Sequence, residues 1–125
     1  MKEIIQTAKA PAPIGPYSQA VKVGNVLYMS GQIALIPGTG DLNNTDINAE
    51  AHQVLKNIGE VLQAAGMNYE NVVKTQIFLK NLDDFAIVNE IYGQYFVSHH
   101  PARDTVQVAK LPKDVKVEIS CIAVK

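Results

Sequence analysis

The sequence predicts an α+β domain in which about six strands form a mixed sheet and two helices cover one face. Two stretches carry apolar residues at helical spacing, and the other apolar runs are short and either alternating or β-branched. The connection that holds the first helix is long enough to be a crossover, which favours parallel strand pairs beside hairpins. We therefore expect residues 1–125 to form a single domain.

The first part of the chain predicts an edge strand, a turn-rich loop and a hairpin. Residues 2–7 favour a short strand. The stretch "APAPIGPYS" predicts an extended loop, because each proline fixes φ and restricts the residue before it. Residues 20–23 and 26–31 predict a hairpin, since Gly24 and Asn25 suit the positive φ values of a two-residue turn.

The middle of the chain predicts a long helix followed by a strand. Residues 48–65 carry apolar side chains at helical spacing. Asp46 or Asn48 can cap the start of this helix, and Gly66 suits the position just after its end. Residues 72–79 are rich in β-branched side chains and predict a strand.

A second helix and two strands complete the predicted fold. The helix covers about residues 83–97 and has an inner apolar stripe made of Phe85, Val88, Ile91, Tyr92 and Tyr95. In the two final runs strict alternation separates polar from apolar residues and places Arg103 and Glu118 on the polar sides of strands expected to be adjacent. Ile122 and Val124 continue the Glu118 side, which is too apolar to be simply solvated and predicts packing against another subunit.

Composition narrows the classes of function. A hydrophobic content of 47% and a charged content of 18% are typical of a globular protein. The net charge of −1 gives no electrostatic footprint for nucleic acid or anionic lipid, so neither is an expected partner. The single cysteine, Cys121, excludes an intrachain disulfide and is expected to be a buried, inert thiol. Without an N-terminal apolar region or a stretch of ~20 apolar residues, the sequence predicts a cytoplasmic protein outside the membrane.

Arg103 and Glu118 are the candidates for chemistry. Arg103 follows Pro101 and Ala102, and its planar guanidinium can hold a carboxylate or phosphate by two hydrogen bonds. Alternatively it is a surface arginine paired to Asp104 or Glu118. Glu118 can orient a water and move protons if burial raises its pKa, or it is a plain exposed strand residue.

Other candidate groups give weaker signals. Tyr17 and Ser30 can offer hydroxyls to a ligand, and Gly31 can offer an unobstructed backbone N–H. His99 and His100 resemble a metal pair, but adjacent side chains diverge and no further ligand has suitable spacing, so no metal site is expected. No glycine-rich phosphate loop is present, and no nucleotide cofactor is expected.

Four stretches together resemble one known family. They are "IGPYSQA", "MSGQIAL", "NVVKTQIFLKNLDDFAIVNEIYGQYF" and "HHPARDTVQVAKLPKDVKVEI". They are similar to the Rid (YjgF) family and, within it, to the RidA subgroup of enamine/imine deaminases, and the resemblance covers essentially the whole chain. The "PAR" run and the "VAKLPKDVKVEI" that follows are its most specific part.

The resemblance implies a chorismate-mutase-like fold, a homotrimer and three clefts between neighbouring subunits. In that family the arginine that matches Arg103 grips the substrate carboxylate, and the glutamate that matches Glu118 holds the attacking water. Further positions around the ligand match Tyr17, Ser30, Gly31 and Asn89. The implied substrates are 2-iminopropanoate and 2-iminobutanoate, which are hydrolysed to 2-keto acids and ammonia without a cofactor.

Two departures and two alternatives accompany the resemblance. The family often has Ser-Cys where this chain has Asp104-Thr105, and Glu where it has Ser120, which leaves substrate preference open. Members have also been described as endoribonucleases or translation inhibitors, although the near-neutral charge disfavours an RNA role. The stronger alternative is a regulatory module that binds a 2-keto acid through Arg103 without catalysis.

Overall fold

The computed structural model describes all 125 residues and has the predicted α+β architecture, one six-stranded mixed sheet with two α-helices. The strands are β1 (Lys2–Ile5), β2 (Ala20–Val23), β3 (Val26–Gln32), β4 (Val72–Leu79), β5 (Ala102–Gln107) and β6 (Val117–Val124). The helices are α1 (Ile47–Ala64) and α2 (Phe85–Tyr95). The strand order is β1-β2-β3-β6-β4-β5, so the last strand of the chain lies near the centre of the sheet.

Helix α1 begins and ends where its capping residues predict. The Asp46 side chain accepts a hydrogen bond of 2.8 Å from the backbone N–H of Ala49. Gly66 adopts φ +73°, the left-handed conformation that commonly follows a helix end. The buried face of α1 packs against β3, β6 and α2. This packing places both helices over the same side of the sheet.

The connections explain why the sheet is mixed. Helix α2 joins β4 to β5, which pair in parallel, whereas every other strand pair is antiparallel. The connection through α1 joins β3 to β4, which run in the same direction because both are antiparallel to β6 between them. The expectation that the strands of Arg103 and Glu118 are adjacent is wrong, since β4 separates β5 from β6.

The two faces of the sheet differ sharply in exposure. Along β6 the residues that face the helices are buried, namely Val117, Ile119, Cys121 and Ala123. The alternating residues on the opposite face are only half-buried, namely Glu118, Ser120, Ile122 and Val124. Tyr28, which pairs with Ile122 across β3 and β6, keeps 51% of its surface exposed. We call this uncovered side the open face of the sheet.

The edge strand β5 departs from the predicted distribution of apolar residues. Val106, assigned to the apolar side of this strand, lies beside Phe78 on the open face and is 45% exposed. Arg103 pairs with the fully buried Thr75 and therefore lies on the helix side. Neither helix of the structure is long and apolar enough to span a membrane.

Candidate functional site

Glu118 is the second residue of β6 and lies on the open face, at one side of a cleft of about 440 Å³. Tyr17, Ser30 and Gly31 line the same cleft. Burial raises the pKa of Glu118, because a half-buried carboxylate loses part of its hydration. A carboxylate with a raised pKa is a stronger base than an ordinary surface glutamate.

Gly31 makes room for the Glu118 carboxyl group. The pairing of β3 with β6 shifts register between Met29 and Gln32, so Gly31 lies at an irregularity in the strand. A Cβ added at Gly31 would lie 2.7 Å from Cδ of Glu118, well inside van der Waals contact. Only glycine at this position leaves Glu118 in its present place.

The loop that carries Tyr17 is held by Gln19, whose role the sequence did not reveal. The buried Gln19 side chain accepts a bond of 2.8 Å from Thr7 N–H and donates bonds to the carbonyls of Thr7 and Pro11, at 3.0 and 2.8 Å. Ser30 donates its hydroxyl to Ser18 O at 2.7 Å, which ties β3 to the same loop. The proline-rich stretch, with few backbone donors of its own, is the sequence feature that makes such a side-chain clamp necessary.

A second loop, residues 111–116, brings Lys113 to the Glu118 cleft. Lys113 and Asp114 both have left-handed backbones, with φ of 55° and 59°, which is costly for residues other than glycine. The conformation is held in part by Glu50, a fully buried carboxylate on α1 that accepts bonds from Lys116 N–H (2.6 Å) and Val117 N–H (3.0 Å). Sequence reasoning missed Glu50, although its position on the inner side of α1, four residues before Val54, was a visible signal.

Arg103 occupies a different cleft, of about 430 Å³, between β5 and α2. Its Nη1 donates a hydrogen bond of 2.8 Å to Oδ1 of Asn89. Its guanidinium carbon lies 5.3 Å from the ring centroid of Phe85 and 5.0 Å from that of Tyr92. These contacts leave most of the N–H groups of Arg103 free to bind an anion in the plane of the guanidinium.

Arg103 forms no salt bridge within the chain. Asp104 instead pairs with Lys74, at 2.8 Å between Oδ2 and Nζ, on the open face of the sheet. Thr105 lies on the same side of β5 as Arg103 and is half-buried. The alternative of an arginine neutralised by Asp104 or Glu118 is therefore wrong for the single chain, and Arg103 keeps an uncompensated positive charge.

The predicted site residues form two groups. Asn89 and Arg103 lie together at the β5 edge, on the helix side of the sheet. Tyr17, Ser30, Gly31 and Glu118 line the other cleft, and the Glu118 side chain is on the open face. One group can bind an anion and the other can hold a water beside a base, but a single chain does not bring them together.

The histidines do not form a cluster with other metal-binding side chains. His52 contacts Tyr95 instead, with 2.7 Å between Nδ1 and the tyrosine hydroxyl. His99 and His100 are exposed at the turn that precedes β5. The structure contains no group of three or more histidine, cysteine, aspartate or glutamate side chains placed to hold a metal ion.

Known proteins resemble this chain along its whole length. The family model described as Endoribonuclease L-PSP matches residues 7–125. The human 2-iminobutanoate/2-iminopropanoate deaminase is 51% identical over 125 residues, which cover 100% of this chain and 91% of the human protein. The Arabidopsis thaliana protein named Reactive Intermediate Deaminase A, chloroplastic, is 52% identical over 98% of this chain, and the match spans 65% of that longer protein.

A solved structure extends the similarity to the fold. The crystal structure of E. coli TdcF with bound serine superimposes with a TM-score of 0.93 at 44% sequence identity, and the match covers 98% of each chain. The family model, the human relative and this solved structure each match essentially all of the chain. The chain therefore belongs to the Endoribonuclease L-PSP family, which is the family also called Rid or YjgF.

Proposed function

We propose that this protein is an imine deaminase that hydrolyses 2-iminopropanoate and 2-iminobutanoate to 2-keto acids and ammonia. We also propose that it works as a homotrimer, in which each site combines the Arg103 group of one copy with the Glu118 group of its neighbour. The names of the human and Arabidopsis relatives support the reaction class.

The placement of Arg103 and Glu118 carries the proposal of a shared site. Their side chains lie on opposite sides of one sheet, so one chain cannot present both to a small imino acid. The open face bears a row of exposed or half-exposed apolar side chains, which a second copy would cover. A neighbouring copy packed there brings its Arg103 edge toward the cleft of Glu118.

Arg103 binds the carboxylate of the substrate in this proposal. The guanidinium edge matches a carboxylate with two parallel hydrogen bonds, and no acid of its own chain competes for it. Fixing the carboxylate sets the position of the adjacent imine carbon. Such anchoring turns an encounter into a defined geometry and lowers the barrier by limiting the loss of entropy in the reaction step.

Glu118 holds the attacking water and moves its protons. The carboxylate accepts a proton from water as the water oxygen forms a bond to the imine carbon, and it passes this proton to the imine nitrogen, which gives a carbinolamine. Glu118 then accepts the proton of the carbinolamine hydroxyl and delivers it to the nitrogen as the C–N bond breaks, so that ammonia leaves and the hydroxyl oxygen becomes the keto oxygen. The raised pKa of Glu118 suits this exchange, and an acid–base group of this kind contributes about 10²- to 10⁴-fold.

Ammonia release is the direct test of the proposed activity. An imino acid is generated from threonine or serine by a dehydratase, and release is followed with and without the purified protein. We expect the protein to accelerate release well above the rate in buffer. A rate equal to that in buffer, with 2-keto acid binding intact, contradicts the deaminase and favours a regulatory module that binds the keto acid through Arg103.

The expectations about RNA and about cellular location remain predictions. An RNA-cleaving role is named in the description of the family, and the net charge of −1 disfavours it, since RNA-binding proteins are usually basic. The cytoplasmic location stays a prediction, since the Arabidopsis relative is named as chloroplastic.

A further inference from the structure

The guanidinium of Arg103 is held by more than its bond to Asn89. The aromatic rings of Phe85 and Tyr92 both lie within cation–π distance of it, with centroids 5.3 and 5.0 Å from Cζ. A cation–π contact uses the face of a guanidinium and leaves its N–H edge free. Arg103 is therefore restrained in the orientation that its hydrogen-bonding edge needs.

The ring of Tyr92 is itself held in place by a hydrogen bond to β4. Its hydroxyl lies 2.8 Å from Oγ1 of Thr75, and Thr75 is fully buried in β4. Thr75 is also the strand partner of Arg103 in the parallel pairing of β4 with β5. A single hydrogen bond thus ties the ring of Tyr92 to the strand next to Arg103.

From these contacts we infer that Phe85, Tyr92 and Thr75 form a positioning device for Arg103, which fixes the guanidinium before an imino acid binds. The inference rests on the proposed function, in which Arg103 binds the substrate carboxylate. An arginine side chain that is already ordered loses less conformational entropy on binding. In this inference Tyr92 acts through its contact with the Arg103 guanidinium, and the fully buried Thr75 acts through Tyr92.

A merely structural role for Tyr92 is the alternative to exclude. Its ring also packs on the buried Phe96, with 4.4 Å between centroids, so its removal costs stability in either case. Tyr95 on the same helix offers a matched control. Its hydroxyl is bonded to His52 and its ring lies 5.6 Å from that of Tyr69, away from Arg103.

The experiment compares Tyr92→Leu with Tyr95→Leu in binding of 2-ketobutyrate by calorimetry and in imine hydrolysis. We expect Tyr92→Leu to bind about 2- to 5-fold more weakly, the range of one lost cation–π contact at an exposed site, and Tyr95→Leu to bind like the wild type. KM should rise by a similar factor in Tyr92→Leu while kcat stays unchanged, because Glu118 and its water are untouched.

Thr75→Val provides a second variant that keeps the side-chain shape and removes only the hydroxyl. It should weaken binding by a smaller factor than Tyr92→Leu, and its effect should disappear when Tyr92→Phe is already present. Comparison of Thr75→Val in the wild-type and Tyr92→Phe backgrounds therefore tests the positioning of Arg103 even if Tyr92→Leu does not fold.

Binding of 2-ketobutyrate by Arg103→Lys distinguishes a failure of the positioning role from a failure of the proposed function. If Arg103→Lys loses affinity while Tyr92→Leu and Thr75→Val bind like wild type, the positioning device is overturned and the proposed function stands. If Arg103→Lys binds as tightly as wild type, carboxylate binding lies elsewhere and both fail.

Discussion

Gly31 lies directly against the carboxyl group of Glu118, across the junction of β3 and β6, and leaves no space there for a methyl group. Glu118 is half-buried in this position, and its pKa is raised by that burial. The absence of a side chain at residue 31 therefore determines where the proposed base points.

Gly31→Ala should reduce imine hydrolysis strongly, because the new methyl group displaces the Glu118 carboxylate from its place in the cleft. The loss in kcat should approach the roughly 10²-fold lower limit expected for removal of an acid–base group. Steady-state rates and a thermal melt on the same sample separate this effect from unfolding. In a Glu118→Gln background the same substitution should cost little further rate, and an equal loss there would count against the argument.

Glu118→Gln tests the role of the carboxylate itself. The variant keeps the size of the side chain and removes the base, so hydrolysis should fall by about 10²- to 10⁴-fold while 2-ketobutyrate affinity is retained. Ser120→Ala, on the same face of β6, is the matched control and should stay near the wild-type rate. Wild-type turnover in the Gln variant would leave Glu118 as an ordinary strand residue.

The pKa of Glu118 predicts opposite effects of pH on rate and on stability. Since the carboxylate is the active form, the rate should fall as pH drops through a pKa that lies above the ordinary value of 4.5. Because the pKa of Glu118 is higher in the folded chain than in the unfolded chain, the ionised carboxylate destabilises the fold. The free energy of unfolding is therefore lowered at pH values above the folded pKa, and this loss disappears at pH values below the unfolded pKa.

The pH dependence of the hydrolysis rate and of the melting temperature tests both predicted effects. Glu118→Gln should melt higher than wild type at neutral pH, and the difference should vanish in acid. An acid limb at the pKa of an ordinary exposed glutamate would refute the effect of burial.

Arg103→Lys should lower kcat/KM by about 10- to 100-fold, since a hydrogen bond to a charged group contributes about 1.5–3 kcal/mol and lysine cannot make the bidentate pair. Circular dichroism should be unchanged, because Arg103 is not part of the buried core. Lys74→Ala removes a charge that is paired only with Asp104 and serves as the control. Equal losses in both variants would indicate a general effect of positive charge.

Light scattering should give three times the chain mass of 13.6 kDa. Ile122→Asp places a charge in the centre of the open face and should dissociate the assembly. Val97→Asp places the same charge at a residue that is already 74% exposed, away from the sheet, and should leave the assembly intact. A wild-type protein that stays monomeric at micromolar concentration would remove the basis of the shared site.

Local sequence signals predicted most of the fold. Asp46 and Gly66 mark the ends of α1 within about a residue, because capping geometry depends on near neighbours. Gly24, with φ +60°, likewise marks the hairpin of β2 and β3, whereas the expected positive φ at Asn25 is wrong. The order of the strands did not follow in this way. The position of β6 between β3 and β4 depends on contacts between residues far apart in the sequence, so no local sequence pattern predicts it.

The resemblance supplied the candidate site residues, but the alternation within each strand did not show which face of the sheet each residue occupies. Alternation places Arg103 and Glu118 on the polar sides of their own strands, yet it does not say that these sides face opposite ways. The roles of Gln19 and Glu50 were not predicted, because a buried polar side chain that bonds to the backbone cannot be distinguished from a surface residue by sequence alone. Their hydrogen bonds become visible only when distant loops are in place.

The separation of Arg103 and Glu118 within one chain has a genetic consequence. If each site takes its arginine from one copy and its glutamate from the next, a chain inactive for lack of one can supply the other. Arg103→Lys and Glu118→Gln chains mixed in equal amounts and allowed to exchange subunits would form about a quarter of their sites with both original residues, since each site draws independently on two copies. Two inactive alleles would then complement each other, as alleles of a monomeric enzyme cannot.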